Sequence, residues 1–241
     1  MTNTPVFSER TEIERLNEFA SVVTHNLKTP IAAVKMMASL LEDVSSLEEA
    51  REIGAELIDA VENLQEYYGE MEKVYRSIRQ PEDPPVEVSI RQILNEVTHR
   101  MLPIIENVKA EISVDFDGGE WIWFRELSLN SVLQNLLSNA IKYRREEAVP
   151  KIHIRTIDRG DMLELQISDN GEGIDLKKYG DKVFKLFETF SANKDASGIG
   201  LFVVKNQIES MGGKISLISE LGVGTTFYLE FVKASNSTNR I

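Results

Sequence analysis

The chain contains no cysteine, which removes disulfides, thiolate nucleophiles and cysteine-ligated zinc together and fits a reducing compartment. A cytoplasmic location is the expectation. No apolar run approaches the roughly 20 residues that span a bilayer. The opening Met1-Thr2-Asn3-Thr4-Pro5 carries neither a basic region nor an apolar core, so no membrane segment is expected. Positive charge is scarce as well. Lys and Arg total 27 against 39 Asp and Glu, a net charge of -12, and no basic patch is large enough to offset phosphate repulsion, which excludes nucleic acid as a partner. A nucleotide can still be held where local cations or Mg²⁺ offset like charge. What is present is apolar content: 42% of 241 residues, enough for one large core or two smaller ones.

Proline is sparse except in one place. Pro81, Pro84 and Pro85 fall within five residues, forbid helix there and mark a stiff connector at 81–85. Ahead of it, Ile13, Leu16, Ala20, Val23, Leu27, Val34, Ala38 and Leu41 keep heptad spacing, which predicts a helix from about 8 to 44. After a turn at 43–46, Ile53, Leu57, Ala60, Leu64, Tyr67, Met71, Val74 and Ile78 repeat the pattern. The two helices form a hairpin too long to bury its own stripe, so a second copy is expected to complete a four-helix bundle, making a homodimer. In the first helix His25 takes the heptad position farthest from the seam, exposed to solvent. Pro30, five residues on, is expected to bend the helix below it. An exposed helical histidine also fits an ordinary surface residue; what lies downstream decides between the two.

Beyond the connector the periods become mixed. The pattern predicts a strand at 86–88, a helix capped by Ser89 running to about 108, and a strand at 110–117. A Gly118-Gly119 hairpin turn then leads into a strand at 120–124. A helix at 127–143, strands at 151–157 and 162–168, a helix at 199–211 and a final hairpin of 214–219 with 225–231 follow. Helices on one side of a mixed or antiparallel sheet make a two-layer α+β domain. The domains expected are therefore 1–80, a linker at 81–85, 86–233, and a disordered tail at 234–241.

Four stretches here suit a nucleotide. Asn135, Asn139 and Lys142 share one face of a helix otherwise packed by Leu133, Leu136, Leu137 and Ile141; solvated amides would give the same pattern. Asp169-Asn170-Gly171-Glu172-Gly173 ends a strand, where a fixed carboxylate can accept from an exocyclic amine, although Asp-Asn-Gly is also an ordinary turn. Ser197-Gly198-Ile199-Gly200 opens a helix, an anion-binding arrangement that also occurs without ligands. Gly222-Val223-Gly224-Thr225 by itself is a hairpin turn.

Together and in this order, these stretches resemble the ATP-binding catalytic domain of sensor histidine kinases, and the N-terminal hairpin resembles their dimerisation and phosphoacceptor domain. Phe184-Lys185-Leu186-Phe187-Glu188-Thr189-Phe190 resembles that family's phenylalanine-rich box. The resemblance spans about 9–232. It implies a hairpin dimerising into a four-helix bundle, then a two-layer α/β sandwich of the Bergerat ATP-binding type with 177–197 as a lid. It implies that ATP phosphorylates His25 and that an aspartate of a response-regulator receiver domain, docked near His25, takes the phosphoryl group. It implies ATP and Mg²⁺ as cofactors, with Asn139 on the metal, Asn135 and Lys142 at the phosphates and Asp169 at the adenine amine. Gly171, Gly173, Gly198 and Gly200 would shape the pocket and Tyr143 and Thr225 would line it. Lys194 is the one obvious cation of a short lid. Thr29 matches the position that orients water in regulator dephosphorylation. Asn26 stands where many members carry a carboxylate. Its amide oxygen can hold the Nδ1–H tautomer of His25 but offers no charge to the ring once it is phosphorylated.

The gyrase, mismatch-repair and heat-shock-chaperone ATPases share that fold by resemblance, but use a glutamate to activate water where this chain has Asn135. Serine kinases acting on anti-sigma-factor partners also keep a carboxylate there. A third reading is a dimeric scaffold that binds nucleotide without transfer. Few residues precede the hairpin, so the input is expected from an upstream sensor domain or a separate sensor chain.

Overall fold

A computed structural model describes residues 7–78, 84–189 and 198–234; the side chains of 7–18, 22, 25, 26 and 181 lie outside that description. The chain divides into two compact units, 1–79 and 80–241. The first is a helical hairpin. Helix α1 (Phe7–Leu40) runs unbroken through Pro30, continues as a 3₁₀ turn (Leu41–Asp43), and returns as α2 (Leu47–Ile78). Ser46 Oγ accepts from Glu49 N at 3.2 Å and starts the second helix. The expected seam residues Val34, Leu41, Ile53, Leu57, Ala60 and Leu64 are half-buried.

The second unit is built on strands β1 (Val86–Ser89), β2 (Glu111–Asp115), β3 (Trp121–Phe124), β4 (Lys151–Asp158), β5 (Met162–Asp169), β6 (Lys214–Glu220) and β7 (Gly224–Val232). A mixed sheet in the order β2-β4-β5-β7-β6 is parallel only between β2 and β4, and β1 and β3 form a separate antiparallel pair. Alternation along the strands sends Ile152, Ile154, Leu163, Leu165, Ile167, Phe227, Leu229 and Phe231 to one face. Helices α3 (Ile90–Arg100), α5 (Glu126–Lys142) and α7 (Gly200–Glu209) cover that face with Ile93, Val97, Leu129, Leu133, Leu136 and Val204, giving the two-layer core the alternation predicts.

Two expectations fail here for physical reasons. The helix predicted from Ser89 to about 108 is two helices, α3 and α4 (Leu102–Val108), parted at Met101. Pro103 has no N–H to return to the His99 carbonyl, so α3 cannot propagate past that point. The strands flanking Gly118-Gly119 do not pair with each other either, since β2 joins β4 and β3 joins β1. The glycines serve a crossing instead. A Cβ on Gly118 would lie 2.6 Å from the backbone of Ile157, and Gly119 O accepts from Thr156 Oγ1 at 2.6 Å. Between β5 and α7, where no element was assigned from sequence, lie two short helical turns, α6 (Leu176–Tyr179) and a 3₁₀ turn (Gly180–Lys182), the first capped by Asp175.

Candidate active site

The site grows from one line of residues on α5. Asn135, Asn139 and Tyr143 follow one another at intervals of four, so their side chains stack along one face while Leu133, Leu136, Leu137 and Ile141 are buried on the other. Asn135 spends its amide nitrogen on the Ser131 carbonyl at 2.8 Å, which leaves its oxygen outward. That oxygen lies against the start of α7. A Cβ on Gly200 would come within 2.9 Å of Asn135 Oδ1 and 4.0 Å of Asn139 Nδ2, so glycine is what allows the helix to begin beside two amides. Asn139 makes no side-chain hydrogen bond with the described residues. Helix α7 starts after Ile199, whose side chain does not cap it, so among the described residues its positive end is open to an anion.

At the other end of this face three motif segments are stitched together through the backbone. Tyr143 O accepts from Glu172 N at 2.9 Å, and Glu172 O accepts from Gly222 N at 2.6 Å. Gly173 sits at φ 70°, and a side chain there would overlap the Glu220 carbonyl, so the loop after β5 can close on the β6–β7 turn only with glycine. Gly171 lies close against the Tyr143 carbonyl. Asp169, at the end of β5, accepts from Gly171 N at 2.8 Å and Thr225 N at 3.3 Å, both through Oδ1. Oδ2 has no partner among the described residues. Burial pushes the Asp169 carboxyl above its ordinary range, against the opposing pull of the two N–H groups. Tyr143 is likewise pushed up, first by burial and then by the nearby Glu172 charge. Lys142 lies 5.6 Å from the Tyr143 ring centroid, a cation–π distance.

The second unit thus brings Asn135, Asn139 and Gly200 together at one end and Tyr143, Asp169, Gly171, Gly173 and Thr225 at the other, with Lys142 beside Tyr143. Gly198, at φ 68°, adjoins the phenylalanine-rich segment, where its carbonyl accepts from Phe187 N at 2.9 Å. Lys194 and the centre of the lid lie outside the described residues. His25, Asn26 and Thr29 are all in α1, in the other unit, and Thr29 is exposed; the side chains of His25 and Asn26 lie outside the description.

Two residues the sequence reading passed over hold this end in shape. Arg145 donates to Asn170 O and Gly222 O, both at 3.0 Å, tying the end of α5 to two loops. Ser219 accepts from Ile174 N at 2.7 Å. Arg145 has no sequence signal, but pairing the final hairpin strands sets Ser219 opposite Thr225, and that register is legible. Asn170, by contrast, is structural: its side chain accepts from Lys151 N at 2.8 Å and donates to Val149 O at 2.9 Å.

The residues present fit a purine nucleotide and a hard cation. An open carboxylate oxygen at one end suits an amine, and outward amides beside a helix start at the other suit phosphates. No cluster of three His, Asp or Glu side chains that could hold a metal occurs among the described residues. A cation here would lean on the nucleotide's phosphates and water, as Mg²⁺ does.

The His Kinase A (phospho-acceptor) domain profile matches residues 15–77, and the profile for histidine kinase-, DNA gyrase B- and HSP90-like ATPases matches residues 124–235. The chain is 27% identical over 232 residues to the sensor protein RprX of Bacteroides fragilis, covering 93% of this chain and 45% of RprX. It is 29% identical over 226 residues to the methanogenesis regulatory histidine kinase FilI of Methanothrix harundinacea, covering 91% and 24%. It therefore spans less than half the length of either. Among solved structures, histidine kinase AdeS of Acinetobacter baumannii superposes with TM-score 0.63 at 20% identity over 87% of this chain and 98% of its own. Histidine kinase ThkA in complex with response regulator protein TrrA gives TM-score 0.70 at 20% identity, over 96% and 66%. At those identities the structures speak for the fold.

Proposed function

The chain belongs to the sensor histidine kinases, and on that premise we propose that it is the catalytic core of one, working as a homodimer that phosphorylates His25 from ATP and passes the phosphoryl group to an aspartate of a response-regulator receiver domain. The observation that carries this reading is the chemistry of Asn135. One helical turn before Asn139, its nitrogen is committed to Ser131 O, and an amide cannot act as general base toward water. Hydrolysis is thereby unsupported at the nucleotide, and a nucleophile from the helical unit takes its place.

Asp169 Oδ2 accepts from the adenine amine, Tyr143 lines the base, and Gly171 and Gly173 let it approach. Asn135, Lys142, Gly198 and Gly200 surround the phosphates, and Lys194 is the cation the lid offers them. Mg²⁺, held by the Asn139 oxygen, supplies positive charge to the phosphate oxygens when bound. A neutral imidazole supplies the lone pair that attack requires, and Asn26 accepts from Nδ1–H to keep Nε2 of His25 free. Nε2 attacks the γ-phosphorus, the bond to the bridging oxygen breaks and ADP leaves; the ring, now cationic, releases its Nδ1 proton to solvent. Thr29, one turn along the helix, orients water for dephosphorylation of the regulator. An upstream sensor domain or a separate sensor chain supplies the input. Among the described residues no helix is long and apolar enough to cross a membrane.

Incubation with γ-labelled ATP and Mg²⁺ tests this. Label that is acid-labile and alkali-stable, absent in His25→Ala although nucleotide still binds, is the expected result. Acid-stable label, or label that survives His25→Ala, would overturn the acceptor assignment. Nucleotide binding with no label at all favours the scaffold reading.

A further inference from the structure

The apolar rows of the sheet end in a polar one. Inward positions read Leu163, Leu165, Ile167 and then Asp169 along β5, Phe231, Leu229, Phe227 and then Thr225 along β7, and Ile215, Leu217 and then Ser219 along β6. Asp169 is register partner to Thr225, and Thr225 to Ser219. Three polar side chains thus form one row on the helix-covered face, just past the last apolar row. Resting on the reading of Asp169 as the adenine site, we propose that Ser219 is a positioning residue which fixes the direction of the Thr225 hydroxyl and so sharpens selection of a 6-amino purine over a 6-oxo purine.

The argument is proton counting. Ser219 Oγ has three neighbours within hydrogen-bond distance: Ile174 N at 2.7 Å, Gly224 O at 2.9 Å and Thr225 Oγ1 at 2.8 Å. A hydroxyl has one proton and two lone pairs. Ile174 N can only donate and Gly224 O can only accept. The single arrangement that satisfies all three contacts has Ser219 donating to Gly224 O and accepting from both Ile174 N and the Thr225 hydroxyl. The Thr225 proton is then spent on Ser219, and its oxygen presents lone pairs alone to the pocket. Asp169 Oδ2, in the neighbouring position of the row, is likewise an acceptor. Two acceptors complement an amine and repel the carbonyl oxygen of hypoxanthine or guanine. Without Ser219 the Thr225 hydroxyl turns freely and can donate to that carbonyl.

The test is calorimetric titration of ADP and IDP, which differ in the 6-substituent and in the N1 proton that a 6-oxo purine carries. The wild type should prefer ADP. Ser219→Ala should shrink that preference at least fivefold, in line with about 1 kcal/mol for one hydrogen bond, mostly by gaining IDP affinity, and Ser219→Thr should restore it. A purely structural serine would weaken both ligands alike, so an unchanged ratio overturns the proposal. If Ser219→Ala does not give a folded protein by circular dichroism, Thr225→Val removes the hydroxyl that Ser219 directs and must also shrink the ratio; an unchanged ratio there overturns it equally. A wild type with no preference for ADP overturns the assignment of Asp169 as well, which separates the two failures.

Discussion

Asp169 is costly to keep and is kept. Its carboxyl is pushed above the ordinary value of 3.8 by burial, so the folded protein holds that proton more tightly than the unfolded chain does. The stability linked to the proton is fully present below the ordinary value and is lost as pH rises through the raised one. Asp169→Asn retains an oxygen for Gly171 N and Thr225 N but removes the charge. Its melting temperature should therefore exceed the wild type's, by a margin that grows as pH rises above the ordinary value of 3.8. Adenine nucleotide affinity should fall about tenfold or more over the same range, the scale of a lost charged hydrogen bond. A margin that stays flat with pH would mean the carboxyl is not strained by burial. At this scale the sequence was informative about the residues proposed to face the nucleotide and silent about their supports. Asp169, Asn135 and Asn139 interrupt apolar patterns, which makes them visible, whereas the single Arg145 side chain reaches Asn170 O and Gly222 O across a loop no periodicity describes.

Elements were legible where burial is one-sided. The alternation of β4, β5 and β7 and the stripe of α5 gave strands and helix to within two residues, because a wrong register would expose the whole core face. The two misreadings came from glycine and proline acting at a distance. Gly118-Gly119 reads as a hairpin turn, yet its neighbours in space belong to β4; Pro103 stops α3 at Met101 and lets α4 begin one residue later. The helix start at Ser89 was legible from its cap. Ser89 Oγ accepts from Gln92 N at 3.2 Å and lies 3.4 Å from Glu120. Ser89→Ala should lower the stability of the catalytic unit by about 1 kcal/mol, the ordinary worth of an N-cap, seen as a lower denaturant midpoint with an unchanged slope. Because α3 covers the sheet away from Asp169 and Gly200, nucleotide affinity should not change. A loss of affinity larger than the loss of stability would mean that β1 and α3 reach the site by a route other than packing.

At the scale of the molecule, the helical unit holds more apolar surface than a hairpin can use. Ile58, Val61, Tyr68 and Tyr75 keep heptad spacing one residue beyond the seam of α2, and they remain 61%, 37%, 70% and 45% exposed. Four apolar side chains at that spacing make a second stripe, and its width suits a partner helix better than water. The seam residues Val34, Leu41, Ile53, Leu57, Ala60 and Leu64 are themselves only half-buried, so that stretch of the hairpin is incomplete along both edges. The proposed second copy would close both at once and would make the stability of this unit depend on protein concentration. Ile58→Glu with Val61→Glu puts two carboxylates in that stripe, where like charges from two copies would face one another or be buried unpaired. The double variant should sediment as a monomer at concentrations where the wild type is a dimer. It should also lose helical content, since long helices without tertiary cover are marginal. In the wild type the helical melt should shift upward with concentration, and in the variant it should not. Nucleotide binding by the other unit should survive the substitution, because Asn139, Asp169 and Gly200 all belong to 80–241. A double variant that still sediments as a dimer would move the interface to the other side of α2, where Asp59, Asn63 and Glu66 would have to be accommodated between the copies.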